Sequence, residues 1–120
     1  MSGFRELNVY KESRNLVVRV YALLKKFPED ERFAMCSQLR RSSVSITSNI
    51  AEGISRTSNK DQLHFINIAF SSMMEVLSQL DIAYILGYIT SEEFLEIEAM
   101  TKNISKMLSG LRSSIERRIQ

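Results

Sequence analysis

Side chains able to do covalent or metal chemistry are scarce in this sequence of 120 residues, which holds one His, His64, and one Cys, Cys36. Zinc needs three or four His, Cys or carboxylate ligands. The Glu-x-x-His pairs with which helical bundles hold two irons do not occur. A nucleophile needs a base within reach. Cys36 instead falls on an apolar stripe and reads as a small buried hydrophobe. His64 stands among apolar neighbours and reads as a structural histidine. The phosphate-cradling glycine loop and the Gly-x-Ser-x-Gly elbow are both missing. The expectation is a protein that is no enzyme and uses no metal and no cofactor.

One polar stretch stands out, from Gln38-Leu39-Arg40-Arg41 through Ser42, Ser43, Ser45 and Ser48 to Asn49-Ile50-Ala51-Glu52-Gly53. Ser is a poor helix former unless small side chains are needed. Two readings are open. In the first, small residues let two helices approach closely, with Asn49 and Glu52 bridging near a helix end. In the second, Gln38, Arg40, Arg41, Asn49 and Glu52 form a polar surface for a ligand.

The elements that would carry these residues follow from three breaks. Pro28 cannot continue a helix but suits the first turn of the next. Gly53 reads as a helix stop, with Ser58 and Asp61 as a capping-box variant beyond it. Gly87 reads as another stop, and Thr90…Glu93 as a capping box. Four helices are predicted at roughly 6–26, 29–53, 58–86 and 91–118, in one domain spanning 1–120. Short connections between long helices force antiparallel neighbours, so the fold is an all-α, up-down-up-down four-helix bundle. Apolar spacing of three and four supports it: Tyr10, Val17, Val20, Leu24 and Phe27 in helix 1; Cys36, Leu39, Ser43, Ile46 and Ile50 in helix 2; Ile97, Met100, Ile104, Met107 and Leu111 in helix 4.

Helix 3 carries two stripes, Leu63-Ile66-Phe70-Met73-Leu77-Leu80-Tyr84 and Phe65-Ala69-Ser72-Val76-Ala83-Leu86. It either sits deep in the bundle or turns one stripe to another subunit. The subunit interface is the expectation, because a bundle this small encloses no helix fully. Gln62–Met74, the longest uncharged run, is far short of the roughly 20 residues of a membrane helix. A single Cys and an N-terminus without an apolar leader run lead to an expected cytoplasmic location.

The runs Gln38–Arg41, Ser45–Ile46 and Asn49–Gly53 resemble the 23S rRNA-intervening sequence proteins, a four-helix-bundle family. Phe27-Pro28 ahead of them, and Arg56, Phe65, Ala69, Ser72 and Glu75 after them, continue the likeness over most of the chain. Phe70 and Ser71 stand where that family commonly has a basic or polar residue and a Gly. The resemblance implies assembly as a pentameric ring. A similar protein, the accessory variability determinant of diversity-generating retroelements, is a basic pentameric barrel that binds nucleic acid and a reverse transcriptase. The partners so implied are further copies of the chain, RNA or DNA, and a nucleic-acid-handling protein.

Net charge is only +2, with 44% hydrophobic and 25% charged residues, but its distribution along a bundle is uneven. One end would gather Arg5, Lys11, Arg14, Arg56, Lys60, Arg112, Arg117 and Arg118 against five acids. The other would hold Glu29, Asp30, Glu31, Glu92, Glu93 and Glu96 against three bases. The helix dipole accounts for part of this in helix 4. In a ring of parallel subunits the basic ends would add into one rim able to hold a phosphate backbone. Arg40 and Arg41 from the motif, with Arg56, Lys60, Arg112, Arg117 and Arg118 from the basic end, are the expected nucleic-acid contacts. Gln38 and Asn49–Gly53 are expected to be mainly structural. The rival expectation is a protein-interaction module that binds no nucleic acid.

Overall fold

The computed structural model describes residues 3–119. Four helices form, α1 (Asn8–Leu24), α2 (Met35–Ser55), α3 (Asn59–Ile85) and α4 (Ser91–Ile119), with 3-10 turns at Gly3–Glu6 and Glu29–Glu31. No strand occurs among the described residues. Around the bundle α1 packs on α2, α2 on α3, α3 on α4 and α4 on α1. The result is an up-down-up-down bundle measuring 48 × 23 × 22 Å along its principal axes.

Three of the sequence signals act as expected. Thr90 and Glu93 make both bonds of a capping box: the Thr90 N–H donates to Glu93 Oε1 at 2.8 Å and the Glu93 N–H to Thr90 Oγ1 at 3.1 Å. Gly87 takes φ +83°, which a side chain would resist. Its N–H reaches the Tyr84 carbonyl at 3.0 Å and the Tyr88 N–H reaches Ala83 at 2.9 Å, closing α3 in a Schellman motif. Ser58 accepts from the Asp61 N–H at 3.0 Å.

Two boundaries differ from the expectation. α2 begins at Met35 rather than near residue 29. Pro28 opens only the 3-10 turn, and Ala34 leaves helical geometry at φ −115°, ψ −99°. The Glu31 carboxylate accepts from the Met35 N–H at 3.4 Å and from the Tyr88 hydroxyl at 2.9 Å, so this turn is tied to α2 and to the α3–α4 connection. Gly53 is not a helix stop. It lies inside α2 and is buried, and a Cβ there would meet Phe65 Cβ at 3.2 Å and the Gln62 carbonyl oxygen at 3.3 Å. Its role is close approach of α2 to α3.

Ile46, Ile50, Met73, Leu80, Ile97 and Leu108 are wholly buried. The α1 stripe is rotated from the expected one: Val9, Ser13, Leu16, Val20 and Leu23 face the core, while Tyr10 and Val17 are only half-buried. Both stripes of α3 are covered within the chain through its middle, with Ile66, Met73 and Leu80 buried on one and Ala69, Ser72, Val76 and Ala83 on the other. α3 is therefore the deep helix of the bundle, and its double stripe needs no second subunit between residues 66 and 83. Buried hydroxyls are satisfied locally. Ser13 donates to the Val9 carbonyl at 2.7 Å and Thr101 to the Glu98 carbonyl at 2.8 Å.

Candidate nucleic-acid interface

The start of α1, the end of α2, the start of α3 and the end of α4 share one end of the bundle. Leu7, Gly53, Ile54, Gln62, Ile66, Leu111, Ile115 and Arg118 line a common cavity of about 270 Å³ there. Within it the Gln62 amide nitrogen donates to the Arg56 carbonyl at 3.0 Å, while Gln62 Oε1 is buried with no partner among the described residues.

Five of the expected contact residues come together at this end. The Arg56 guanidinium lies 4.8 Å from the centroid of the Phe65 ring and pairs with Glu52 at 3.0 Å. Arg112 lies 4.6 Å from the centroid of the Phe70 ring and reaches Asn67 Oδ1 at 3.5 Å. Each guanidinium is held against an aromatic face; the N–H edge of Arg56 is taken by Glu52, and that of Arg112 by the neutral Asn67 amide oxygen only. Lys60, Arg117 and Arg118 are exposed, and Arg118 donates to Ser114 Oγ at 3.4 Å.

The two ends treat their cations differently. At the far end, Arg19 forms a bidentate pair with Glu96 at 2.9 Å, Lys26 pairs with Glu93, and Arg32 lies 3.5 Å from Glu29. The Lys26 ammonium, with the Thr90 backbone N–H, holds the Glu93 carboxyl below the usual carboxylate range. Tyr88, donating to Glu31, has its hydroxyl pushed up. At the basic end Arg56 alone is ion-paired among the described residues; Lys60, Arg112, Arg117 and Arg118 are not.

Arg40 and Arg41 do not join this group. Arg41 and Arg56 are about 22 Å apart along α2 at 1.5 Å per residue. Arg40 reaches the Arg32 carbonyl at 3.5 Å, on the side of Cys36, while Arg41 is exposed in a polar groove of about 410 Å³ between α2 and α3 with Gln38, Ser42, Ser45, Ser72, Glu75 and Gln79. The floor of that groove is a seam of short side chains. The Ser42 hydroxyl donates to Gln79 Oε1 at 2.8 Å and Ser45 Oγ meets Ser72 Oγ at 2.8 Å.

Asn49 donates one turn back, to the Ser45 carbonyl at 2.8 Å and to its hydroxyl at 3.0 Å, rather than capping the helix end. Glu52 pairs with Arg56. Ala51 is half-buried. The packing reading of the Ser-rich motif therefore accounts for the seam. Sequence reasoning missed Phe65 and Phe70 as platforms for arginines, because their partners lie on other helices.

Two single residues complete the placement. Burial pushes the Cys36 thiol up. His64 is exposed on α3, its ring 5.2 Å from that of Phe65, so it is no core histidine. Among the described residues no three His, Cys, Asp or Glu side chains gather closely enough to hold a metal, and no helix is long and apolar enough to cross a membrane.

The family model described as 23S rRNA-intervening sequence protein matches residues 5–110. Among solved structures, a protein of unknown function from the S23 ribosomal protein family of Bacteroides thetaiotaomicron VPI-5482 superposes with a TM-score of 0.79 at 30% sequence identity. The match covers 87% of this chain and 97% of that one. No curated protein matches.

Proposed function

This chain belongs to the 23S rRNA-intervening sequence protein family, and from that premise we propose that it is a non-enzymatic, homo-oligomeric bundle that binds the phosphate backbone of nucleic acid, RNA first, through its basic end. The observation that carries this reading is that Lys60, Arg112, Arg117 and Arg118 have no carboxylate partner among the described residues, whereas Arg19, Lys26 and Arg32 toward the other end each have one. Cations already paired inside the protein have little to offer a phosphate; unpaired ones release counterions when they bind it.

One chain presents few such contacts, and useful affinity at physiological salt needs several ends side by side. Repeated copies of one basic end would supply them without reading sequence, because contacts to phosphate oxygens carry no sequence information. Filter binding with single-stranded RNA and duplex DNA across a salt series tests the reading. Log affinity should fall linearly with log salt, by roughly 0.9 per phosphate contact on a duplex and about 0.7 on a single strand. Arg112→Ala, Arg117→Ala and Arg118→Ala together should flatten that slope. Binding that survives the triple variant moves the site to the Arg40–Arg41 face. Absence of binding at low salt refutes it. A second reading, a protein-docking module, is favoured by Phe33, whose ring stands 86% exposed.

A further inference from the structure

Two arginines at the basic end are backed by aromatic rings of α3, one from each neighbouring helix. Arg56, just past the end of α2, lies 4.8 Å from the centroid of the Phe65 ring, and Arg112 of α4 lies 4.6 Å from that of Phe70. A guanidinium grips phosphate through its N–H edge, and the edge of Arg56 is already committed to Glu52 at 3.0 Å. What Arg56 still presents is the face turned away from Phe65, on a side chain that is 43% exposed. Arg112 bonds only the neutral Asn67 amide oxygen, at 3.5 Å, and its side chain is partly exposed.

The two rings bracket one face of α3. At 3.6 residues per turn, Phe65 and Phe70 point about 140° apart around the helix axis. Between them runs a strip spaced by three and four, Lys60, His64, Asn67 and Ser71, and all four are exposed. From Gln62 to Met74 the helix carries no charged residue. The acids of α3 on either side of this run are Asp61, in the first turn on the Phe65 side, and Glu75, beyond Ser71. The strip is thus polar, free of carboxylates over its length, and bordered on each side by a ring-backed arginine.

We infer that this face of α3 takes single-stranded nucleic acid, with unpaired bases stacking on the outer faces of Arg56 and Arg112 while the strand crosses the Lys60–Ser71 strip. A guanidinium plane is a stacking partner for a splayed-out base. Such stacking tolerates any sequence, because every base has a π-face. The rings behind the guanidiniums orient them before a base arrives, so less side-chain freedom is lost on binding. A duplex gains nothing from these platforms, since its bases are already stacked on one another. The inference rests on the proposed phosphate binding and names the strand form that the same end prefers.

Charge and plane can be separated by substitution. Arg56→Lys and Arg112→Lys together keep both positive charges and remove both planes. Both side chains reach the surface, so circular dichroism should show unchanged helix content. In filter binding at low salt, the double variant should hold a single-stranded oligoribonucleotide roughly fivefold or more weaker than the wild type. Its salt slope should stay the same, because the number of cations is unchanged. An abasic strand of equal length, which has the phosphates and no bases, should bind the wild type more weakly than the base-bearing strand and show no such loss in the variant. Phe65→Leu and Phe70→Leu, which keep the charges and the apolar bulk and remove the backing rings, should weaken single-strand binding in the same direction.

A wild type that binds the abasic strand as tightly as the base-bearing one overturns the inference. So does a folded double Lys variant with undiminished affinity for the single strand. In either case phosphate binding by the basic end stands. Absence of binding to every strand at low salt refutes the phosphate reading and this inference with it.

Discussion

Adding a single methyl group at each of two helical glycines, Gly53 in α2 and Gly110 in α4, separates backbone propensity from packing. A helical Gly→Ala change gains about 0.5–1 kcal/mol, because Gly loses more chain freedom on folding. At Gly110 nothing lies within 4 Å of the position a Cβ would take, so Gly110→Ala should stabilise by that amount. At Gly53 the same methyl would stand 3.2 Å from Phe65 Cβ and 3.3 Å from the Gln62 carbonyl oxygen. Neither is the end of a flexible side chain; both belong to the body of α3, which must shift as a unit. Overpacking of this kind costs about 1–3 kcal/mol, so Gly53→Ala should come out near neutral to about 2.5 kcal/mol less stable. Urea unfolding followed at 222 nm, at one protein concentration and with unchanged m-values, measures both. If Gly53→Ala raises stability as much as Gly110→Ala, the close approach of α2 and α3 at Gly53 is not tight and the account given for this glycine is wrong.

Ile50 is wholly buried, and Ile50→Ala should cost about 2–5 kcal/mol in the same assay. Glu93 ionises more readily in the folded chain than in the unfolded one. Its contribution is thus fully present above the ordinary carboxylate pKa and is lost as pH falls through the lowered folded value; Glu93→Gln should weaken the protein at neutral pH and converge with the wild type in acid. Ser42→Ala removes the donor to Gln79 Oε1 and should cost about 0.5–1.5 kcal/mol, with a larger loss indicating that the whole seam had shifted. The Arg112, Arg117 and Arg118 triple Ala variant should keep its helix content while its nucleic-acid affinity loses much of its salt dependence.

Signals that act within a few residues were legible in the sequence. The Thr90…Glu93 box and Gly87 are local, and each does what its spacing implies. Gly53 was not legible in this way: a stop and a close-approach site share the same residue type, and only the position of α3 separates them. The start of α2 was missed because the Glu31 carboxylate is committed to the Met35 N–H and to Tyr88, the latter 57 positions away. The double stripe of α3 was seen, but that both stripes are covered within the chain through its middle depends on how the other helices close around it. The basic end followed from topology alone, since up-down order dictates which termini meet. Its pairing state did not, because Arg19–Glu96 and Lys26–Glu93 are cross-helix pairs.

The hydroxyl seam between α2 and α3 has a consequence for the order in which the molecule comes apart. These two helices are joined by only residues 56–58, so their contacts close a short loop at small entropic cost. They also form the most extensive helix pair of the bundle. Cooperative units of this kind open last, and their amides exchange slowest. α1 is reached through the longer segment 25–34 and is the natural unit to detach first. Its detachment would take Val18 and Tyr21 away from Val44 while the α2–α3 hairpin stays formed. In hydrogen exchange, α1 amides should therefore lose protection first, whereas amides near Ile46, Ile50 and Met73 should exchange only through global unfolding.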